Sequence, residues 1–438
     1  MTMTVTPVQI GLDRLRIDSE HGLVPKERYL SRALWELEQE KVWKRVWQWA
    51  CLEDDVPNPG SYYEHQIGDQ SILVLRGDDC ELRAFHNVCP HRGNRLRSGN
   101  GTLKAELSCH YHKWTWDLVG ELKRVPDRET FPPFEDACYG LRQVRLETWQ
   151  RFVFVNLDSD AEPLPDYLAP LIDRLDPYHW GEHVCTRSVT MPMAANWKTI
   201  VDGFIDVYHL QGVHPQLLRL MDDVNTTYEV MGRHSAMYMP MGVASPRLSD
   251  TSEAAVIREL MKPESGILGK LFRQSSHLTQ DDTGKATLPE GMTVRQALLE
   301  VARGHEVEYG HDYSGLNDEQ VIDDHHYFFF PNTVVNTYAG HFICARIRPD
   351  AADPERCYFD MYIFNWLTDD ERAEKTVRRH HLADEDTEVG RVPDQDFTAL
   401  PKVQLGLHSD GIDAIFLNSQ EIRVKHFHEV LDSYLFDT

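Results

Sequence analysis

Cys89-Pro-His91 and Cys109-His-Tyr-His112 set two thiols and two imidazoles in a pair of short clamps, each mixing Cys with His. Thiolates suit the irons of iron–sulfur clusters, and imidazoles in place of two thiolates on one iron give a [2Fe–2S] centre of raised potential. Cys₂His₂ is also a tetrahedral zinc set, but zinc clamps more often pair Cys with Cys and His with His. Ligand softness and spacing together favour the cluster. Pro90 stiffens the first loop, Gly93 and Gly99 let the backbone fold closely, and Trp114 and Trp116 are expected to exclude water.

A second constellation runs from Asn196 to His214. Asp202, Asp206 and His209 fall at i, i+4 and i+7, which predicts one ionisable stripe on a helix. Such a stripe is costly to bury unless it binds a metal or pairs internally. A straight helix would splay His209 and His214 by about 140°, so a distorted turn at Gly212 is needed to bring both onto one ion. Two His and a carboxylate on non-haem Fe(II) would leave positions open for dioxygen. Taken alone, His-x₄-His is a weak pattern, since most such pairs are ordinary core or surface histidines.

The elements that must hold these groups are legible in outline. Residues 27–48 carry Leu34, Leu37, Val42 and Val46 at helical spacing. From about 47 to 158 the pattern changes to short strands and turns: Ile72–Leu75 and Leu82–Phe85 about the turn 77–79, then 118–119 and 121–122 about Gly120, with Phe152–Val155 last. Pro163, Pro165 and Pro170 punctuate the exit. Beyond them strands such as 333–335 and 342–347 mix with helices. The polar stretch 242–324, with helices expected at 252–262 and 293–303, reads either as a cover over something or as an ordinary surface excursion.

The chain has 438 residues, 41% of them hydrophobic, enough for two domains with full cores at about 150 residues each. No apolar run approaches the ~18 residues that span a bilayer, and Met1 to Glu20 shows no secretory pattern. A formal charge of −25 disfavours nucleic acid and anionic membrane as partners. Cys51, Cys80, Cys138, Cys185, Cys344 and Cys357 are scattered singly, as expected of reduced thiols in a cytoplasmic protein.

With both constellations in hand, the chain resembles the catalytic α subunits of Rieske non-haem iron ring-hydroxylating oxygenases. Cys89-Pro-His91-Arg-Gly and Cys109-His-Tyr-His112-Lys-Trp114 are similar to the Rieske motif, and Asn196-Trp-Lys followed by Asp206-x-Tyr-His209-x₄-His214 to the mononuclear iron motif. The resemblance covers essentially the full chain. It implies an α+β fold: an N-terminal helical segment (1–46) packing on the catalytic domain, a small antiparallel β Rieske domain (47–160), and a larger catalytic domain (161–438) with an antiparallel sheet flanked by helices.

It further implies a [2Fe–2S] cluster on Cys89, His91, Cys109 and His112, and Fe(II) on His209 and His214. Gln395-Asp396, eight residues before Gln404, is similar to the segment that supplies the third ligand, so Asp396 is the choice, with Asp394 and Asp386 as rivals. Asp206 would join His209 to His112 of a neighbouring subunit, implying a homotrimer, or an α₃β₃ assembly with a small subunit. Two departures stand out. Asp202-Gly203 replaces a usual Glu-Asn, and Lys113 replaces a usual Gly.

No Gly-rich dinucleotide fingerprint follows an expected strand, so electrons should come from a separate NAD(P)H-dependent reductase, with or without a ferredoxin. Arg92, Arg95, Arg97, Lys104 and Lys113 would steer an acidic donor, although arginines satisfying loop carbonyls explain Arg92 and Arg95 equally well. Residues 203–245 and the 328–346 strands, which supply Phe329, Phe330, Val335, Tyr338 and Phe342, are expected to line the iron pocket, with Arg233 or Arg346 available to a carboxylate. That favours an apolar, aromatic substrate and ring cis-dihydroxylation. Monooxygenation, including O- or N-demethylation or attack on a non-aromatic compound, is the alternative. A pure electron carrier or a zinc-structured binding module is the reading from another class.

Overall fold

A computed structural model describes residues 11–368, 370–372, 380–382, 387 and 389–437. The chain divides into two compact units, one drawn from residues 32–169 and 349–353, the other from 1–31, 170–348 and 354–438.

In the smaller unit a seven-stranded sheet, counted among the described residues, runs in the order Gln48–Leu52, Phe152–Asn156, Gln143–Trp149, Leu82–His86, Gln70–Arg76, Ser61–Ile67, Asn100–Thr102. Its neighbours pair antiparallel. Leu107–Ser108, Thr115–Trp116 and Leu122–Arg124 form a second small sheet. The turn between its last two strands needs Gly120, whose φ is +88° and where a Cβ would lie 2.6 Å from the Phe85 ring.

The helix expected over 27–48 is present only in pieces: Glu27–Leu30, Arg32–Glu38, then a five-residue turn of π geometry, Gln39–Trp43. Ser31 takes an extended backbone between the first two. Gln48–Leu52 is buried at every position and pairs with Phe152–Asn156, so sheet pairing overrides the helical spacing there. Residues 32–46, placed by the resemblance in the N-terminal segment, group with the unit that carries the Cys/His clamps.

The larger unit holds an eight-stranded sheet among the described residues, in the order Thr227–Met231, His234–Met239, Asp324–Phe329, Thr333–Tyr338, His341–Pro349, Cys357–Asn365, Val184–Met193, His380–Leu382. The first five strands pair antiparallel, and the last joins in parallel. The Arg391–Leu407 helix packs on the short helices Trp197–Phe204 and Leu210–Val213, while Ile422–Phe436 covers the first two strands. This is the α+β architecture expected: a small antiparallel β unit and a larger antiparallel sheet flanked by helices. Within 242–324 the expected helices appear as Glu253–Leu260 and Val294–Tyr309, capped by Ser252 and by a Thr293/Gln296 capping box, with Gly266–Phe272 between them.

Candidate metal centres and active site

The two clamps are built alike. Cys89 N–H donates to Asn94 O (2.8 Å) and Cys109 N–H to Trp114 O (2.8 Å), and each cysteine carbonyl accepts from a residue four further on, Gly93 (2.9 Å) and Lys113 (3.0 Å). Both of those residues are left-handed, Gly93 at φ +74° and Lys113 at φ +61°. The thiols are buried within hydrogen-bonding reach of one another, and burial raises that of Cys89. The His91 and His112 rings lie 4.6 Å apart. Nδ1 of each is buried without a hydrogen-bond partner. Buried imidazole nitrogens are rarely left so, and two of them beside two buried thiols fit the [2Fe–2S] group.

Trp114 stacks on His91 at 4.9 Å, with Phe131, Phe134 and Tyr139 packed around it. The arginines serve the loops. Arg97 donates to Leu96 O (2.6 Å) and Ser108 O (3.0 Å), Arg95 pairs with Glu64 (3.1 Å), and Arg92 lies over Tyr111. Lys104 and Lys113 stay exposed.

In the larger unit the expected single stripe is broken. The Trp197–Phe204 helix ends before Asp206, and a second short helix, Leu210–Val213, starts after His209 and ends before His214. The break follows from Asp206, whose Oδ1 accepts from His209 N–H at 3.0 Å and so closes a local turn in place of a helical one. The kink solves the His-x₄-His geometry: the two rings sit 5.3 Å apart. Asp202 turns away, accepting from Tyr29 Oη at 2.6 Å and lying 3.3 Å from His428 Nε2.

His209, His214 and Asp396 offer ligand atoms within 4.8 Å of one another. Asp396 Oδ1 is 2.8 Å from His214 Nε2 and 3.9 Å from His209 Nε2. The far nitrogens are held too: His209 Nδ1 by Asp206 (3.1 Å) and His214 Nδ1 by Gln395 Oε1 (2.9 Å). Gln216 Nε2 also donates to that Oε1 at 2.7 Å, fixing it as an acceptor. An acceptor at each Nδ1 selects the tautomer whose Nε2 lone pair faces the shared space. Burial alone would lower the His209 pKa, but Asp206 and Asp396 outweigh it and the net direction is upward. Two imidazoles and a carboxylate so disposed fit Fe(II).

Of the rivals to Asp396, Asp394 accepts from the N–H groups of Val389 and Gly390 at the start of its helix. Asp386 lies outside the described residues. The role of Gln395 escapes the sequence reading, although its place beside Asp396 was the available clue.

A cavity of about 300 Å³ opens beside these three groups. The expected segment 203–245 lines it with Gly203, Phe204, Leu210, Met237 and Met239 among others, but of the five strand residues expected there only Tyr338 contributes. Val334, Asn336, Ile343 and Ala345 face the cavity instead, so Val335 and Phe342 are on the opposite face of their strands, where Phe342 stacks on Trp180 at 4.4 Å. Met221, Met237, Met239 and Met361 make the walls rich in methionine. Neither proposed arginine lines the cavity. Arg346 is buried against Asp360 (2.8 Å), and Arg233 donates to Tyr434 (3.0 Å).

The family model for the catalytic domain of ring-hydroxylating alpha subunits matches residues 181–436, and that for the Rieske [2Fe-2S] domain matches residues 46–140. The chain belongs to the ring-hydroxylating alpha-subunit family. Its alpha subunit thus pairs a Rieske [2Fe-2S] domain with the catalytic domain of a family that binds mononuclear iron.

Among relatives, the glycine betaine monooxygenase oxygenase subunit of Pseudomonas aeruginosa is 32% identical over 48% of this chain and 50% of its own length. The carnitine monooxygenase oxygenase subunit of Escherichia coli is 34% identical over 45% and 53%. The anthranilate 1,2-dioxygenase large subunit of Burkholderia cepacia is 34% identical over 44% and 47%. The chain spans about half the length of these relatives. Its fold is shared with a quaternary ammonium Rieske monooxygenase solved with L-carnitine (TM-score 0.66, 19% identity, 96% of this chain and 99% of that one). It is shared equally with naphthalene 1,2-dioxygenase holding indole (0.66, 19%, 96% and 93%). Among the described residues no helix is long and apolar enough to cross a membrane.

Proposed function

We propose that this alpha subunit is the terminal oxygenase of a multicomponent system and monooxygenates a small, non-aromatic compound bearing a methylated nitrogen. The observation that carries the oxygenase reading is the convergence of His209, His214 and Asp396 beside a largely apolar cavity, in a chain that also has the Rieske donor set. His209, His214 and Asp396 would hold Fe(II), and Cys89, His91, Cys109 and His112 the cluster. Together these groups supply one-electron delivery and dioxygen activation. Asp206 and Gln395 keep the protons of the two ligand imidazoles on Nδ1. The methionine and aliphatic walls keep bulk water from the reacting substrate.

Overall, oxygen enters one C–H bond, the second oxygen atom leaves as water, and two electrons and two protons come from outside. A hydroxylated N-methyl group then departs as formaldehyde. The electrons would come from a separate reductase, with or without a ferredoxin, and the Asp206 route to a neighbouring subunit would require a trimer or an α₃β₃ assembly. The relatives that act on glycine betaine and carnitine support the non-aromatic choice over ring dihydroxylation. The anthranilate dioxygenase relative supports the second reading, dihydroxylation of an aromatic acid.

The test is turnover with a reductase and a panel of methylated ammonium compounds and aromatic acids, following oxygen uptake, formaldehyde and products by mass spectrometry. Formaldehyde in step with oxygen uptake is expected. Diol products from aromatic acids alone would establish the second reading. Zinc as the only metal, with no Rieske-type paramagnetic resonance after reduction, would reject both.

A further inference from the structure

One group of polar side chains in the cavity is unused by the iron site. Asp324 begins the Asp324–Phe329 strand, and Asn336 and Tyr338 lie on its antiparallel neighbour, Thr333–Tyr338. The two-residue period of a strand puts Asn336 and Tyr338 on one face, and all three residues line the cavity with His326. Asn336 Nδ2 donates to both Asp324 oxygens, at 3.0 and 2.9 Å, and the Tyr338 hydroxyl also reaches that carboxylate. Asp324 is 4% exposed.

These donors are neutral. Among the described residues Asp324 makes no ion pair, which is unusual for a carboxylate this deep, because desolvation without a counter-charge costs several kcal/mol. Arg423, buried nearby, has its contacts on His326 Nδ1 and Ser235 Oγ, each at 3.1 Å, and acts on Asp324 only through space. His326 cannot supply the charge either. Burial and then Arg423 push its pKa well below the ordinary value. The other cavity carboxylates are committed, Asp206 to His209 and Asp396 to the ligand group. Burial raises Asp324 to about 6, which still leaves it mostly ionised at neutral pH.

We propose that Asp324 is the specificity-determining residue of this cavity, its carboxylate pairing with a positively charged nitrogen of the substrate. Asn336 and Tyr338 orient it, and the ring of Tyr338 with the polarisable sulfurs of Met237, Met239 and Met361 would accommodate the methyl groups on that nitrogen. The assignment rests on the oxygenase reading only for what happens next; the binding itself is independent of turnover.

The experiment is calorimetric titration of the iron-loaded protein and its Asp324→Asn variant with choline, tetramethylammonium and N,N-dimethylglycine. In parallel, 3,3-dimethylbutan-1-ol, the uncharged carbon isostere of choline, serves as a control. Wild type should bind at least one of the cations, with choline about tenfold or more tighter than its isostere. Asp324→Asn should remove that preference while leaving the isostere unchanged. Equal binding of choline and its isostere by wild type, no binding of any cation, or an undiminished preference in a folded variant would overturn the assignment. Should the variant fail to fold, the wild-type ratio decides alone. Oxygen uptake by the same proteins and ligands, supplied with a reductase and NAD(P)H, separates the two claims. Charge-selective binding without turnover keeps Asp324 and sinks the oxygenase, whereas turnover of neutral compounds alone does the reverse.

Discussion

Gly203, which stands where a larger amide is usual, is explained by its neighbour. A Cβ built there would lie 2.5 Å from Leu400 Cδ2, 3.1 Å from Cδ1 and 3.3 Å from Cγ. Leu400 is one turn along the Arg391–Leu407 helix from Asp396, so displacing its side chain disturbs the element that carries the third ligand. Gly203→Ala sets two effects against each other. Removing Gly from a helix gains up to about 1 kcal/mol, less near the helix end where it sits, while overpacking costs about 1–3 kcal/mol. The clash should win by about 1–2 kcal/mol, lowering the melting temperature by roughly 1–3 °C in a chain this long, at about 2.1 cal/mol/K of unfolding entropy per residue. Iron occupancy of the mononuclear site should fall with it. Leu400→Ala in the same chain removes the obstructing atoms, so the double variant should be more stable than the sum of the single effects by about 1–2 kcal/mol. The assay is thermal unfolding of the four proteins of the cycle with iron counted in each. A Gly203→Ala protein as stable as wild type with full iron, or strict additivity with Leu400→Ala, would refute the reasoning.

Replacing His209, His214 or Asp396 by Ala should remove about one iron per chain and abolish product while the visible spectrum of the cluster persists; full turnover by Asp396→Ala would redirect attention to Asp394 or Asp386. Asp206→Asn keeps an acceptor for His209 but removes the charge, so both metals should stay while single-turnover oxidation of the reduced cluster slows severely; wild-type rates in a fully metallated sample would reject an electron-route role, and loss of iron alone would make Asp206 a structural support. Lys113 is exposed and left-handed where the matching loop has Gly93, so Lys113→Gly should relieve about 1–2 kcal/mol of backbone strain and raise the temperature at which the cluster bleaches; a lower temperature would show that the lysine side chain holds the loop.

The candidate metal-binding residues can be picked out because their chemistry is carried by local spacing. Cys89/His91 and Cys109/His112 each sit within one tight loop, and His209 and His214 flank one short turn. Asp396 was reachable only through resemblance, since nothing in the spacing of the intervening residues brings it to His214. The cavity face was misread for a physical reason. A strand's two faces differ by one residue, and which one faces inward is set by long-range pairing, such as Ser235 with Phe328 and Thr333 with Arg346. The stripe from Asp202 to His209 failed because helical spacing cannot foresee that a side chain, here Asp206, will cap the chain and end the helix.

What holds Asp396 in place across that sequence distance is a knot of neutral hydrogen bonds. Asn196 caps the Trp197–Phe204 helix through Lys198 N–H, and its own N–H donates to Gln404 Oε1 at 3.0 Å. Thr199 Oγ1 donates to the same oxygen at 2.8 Å. One amide thus fastens the start of the helix before His209 to the helix that bears Asp396, and the Gly203–Leu400 contact sets their separation at the other end. Asn196, Lys198, Thr199 and Gln404 are all buried. Leaving the donors of Asn196 and Thr199 unpaired would cost about 1–3 kcal/mol each. The Asn-Trp-Lys and Gln segments therefore act as the alignment device of the candidate metal site, although neither supplies a ligand: the first fixes where the histidines start, and the second fixes where the carboxylate arrives.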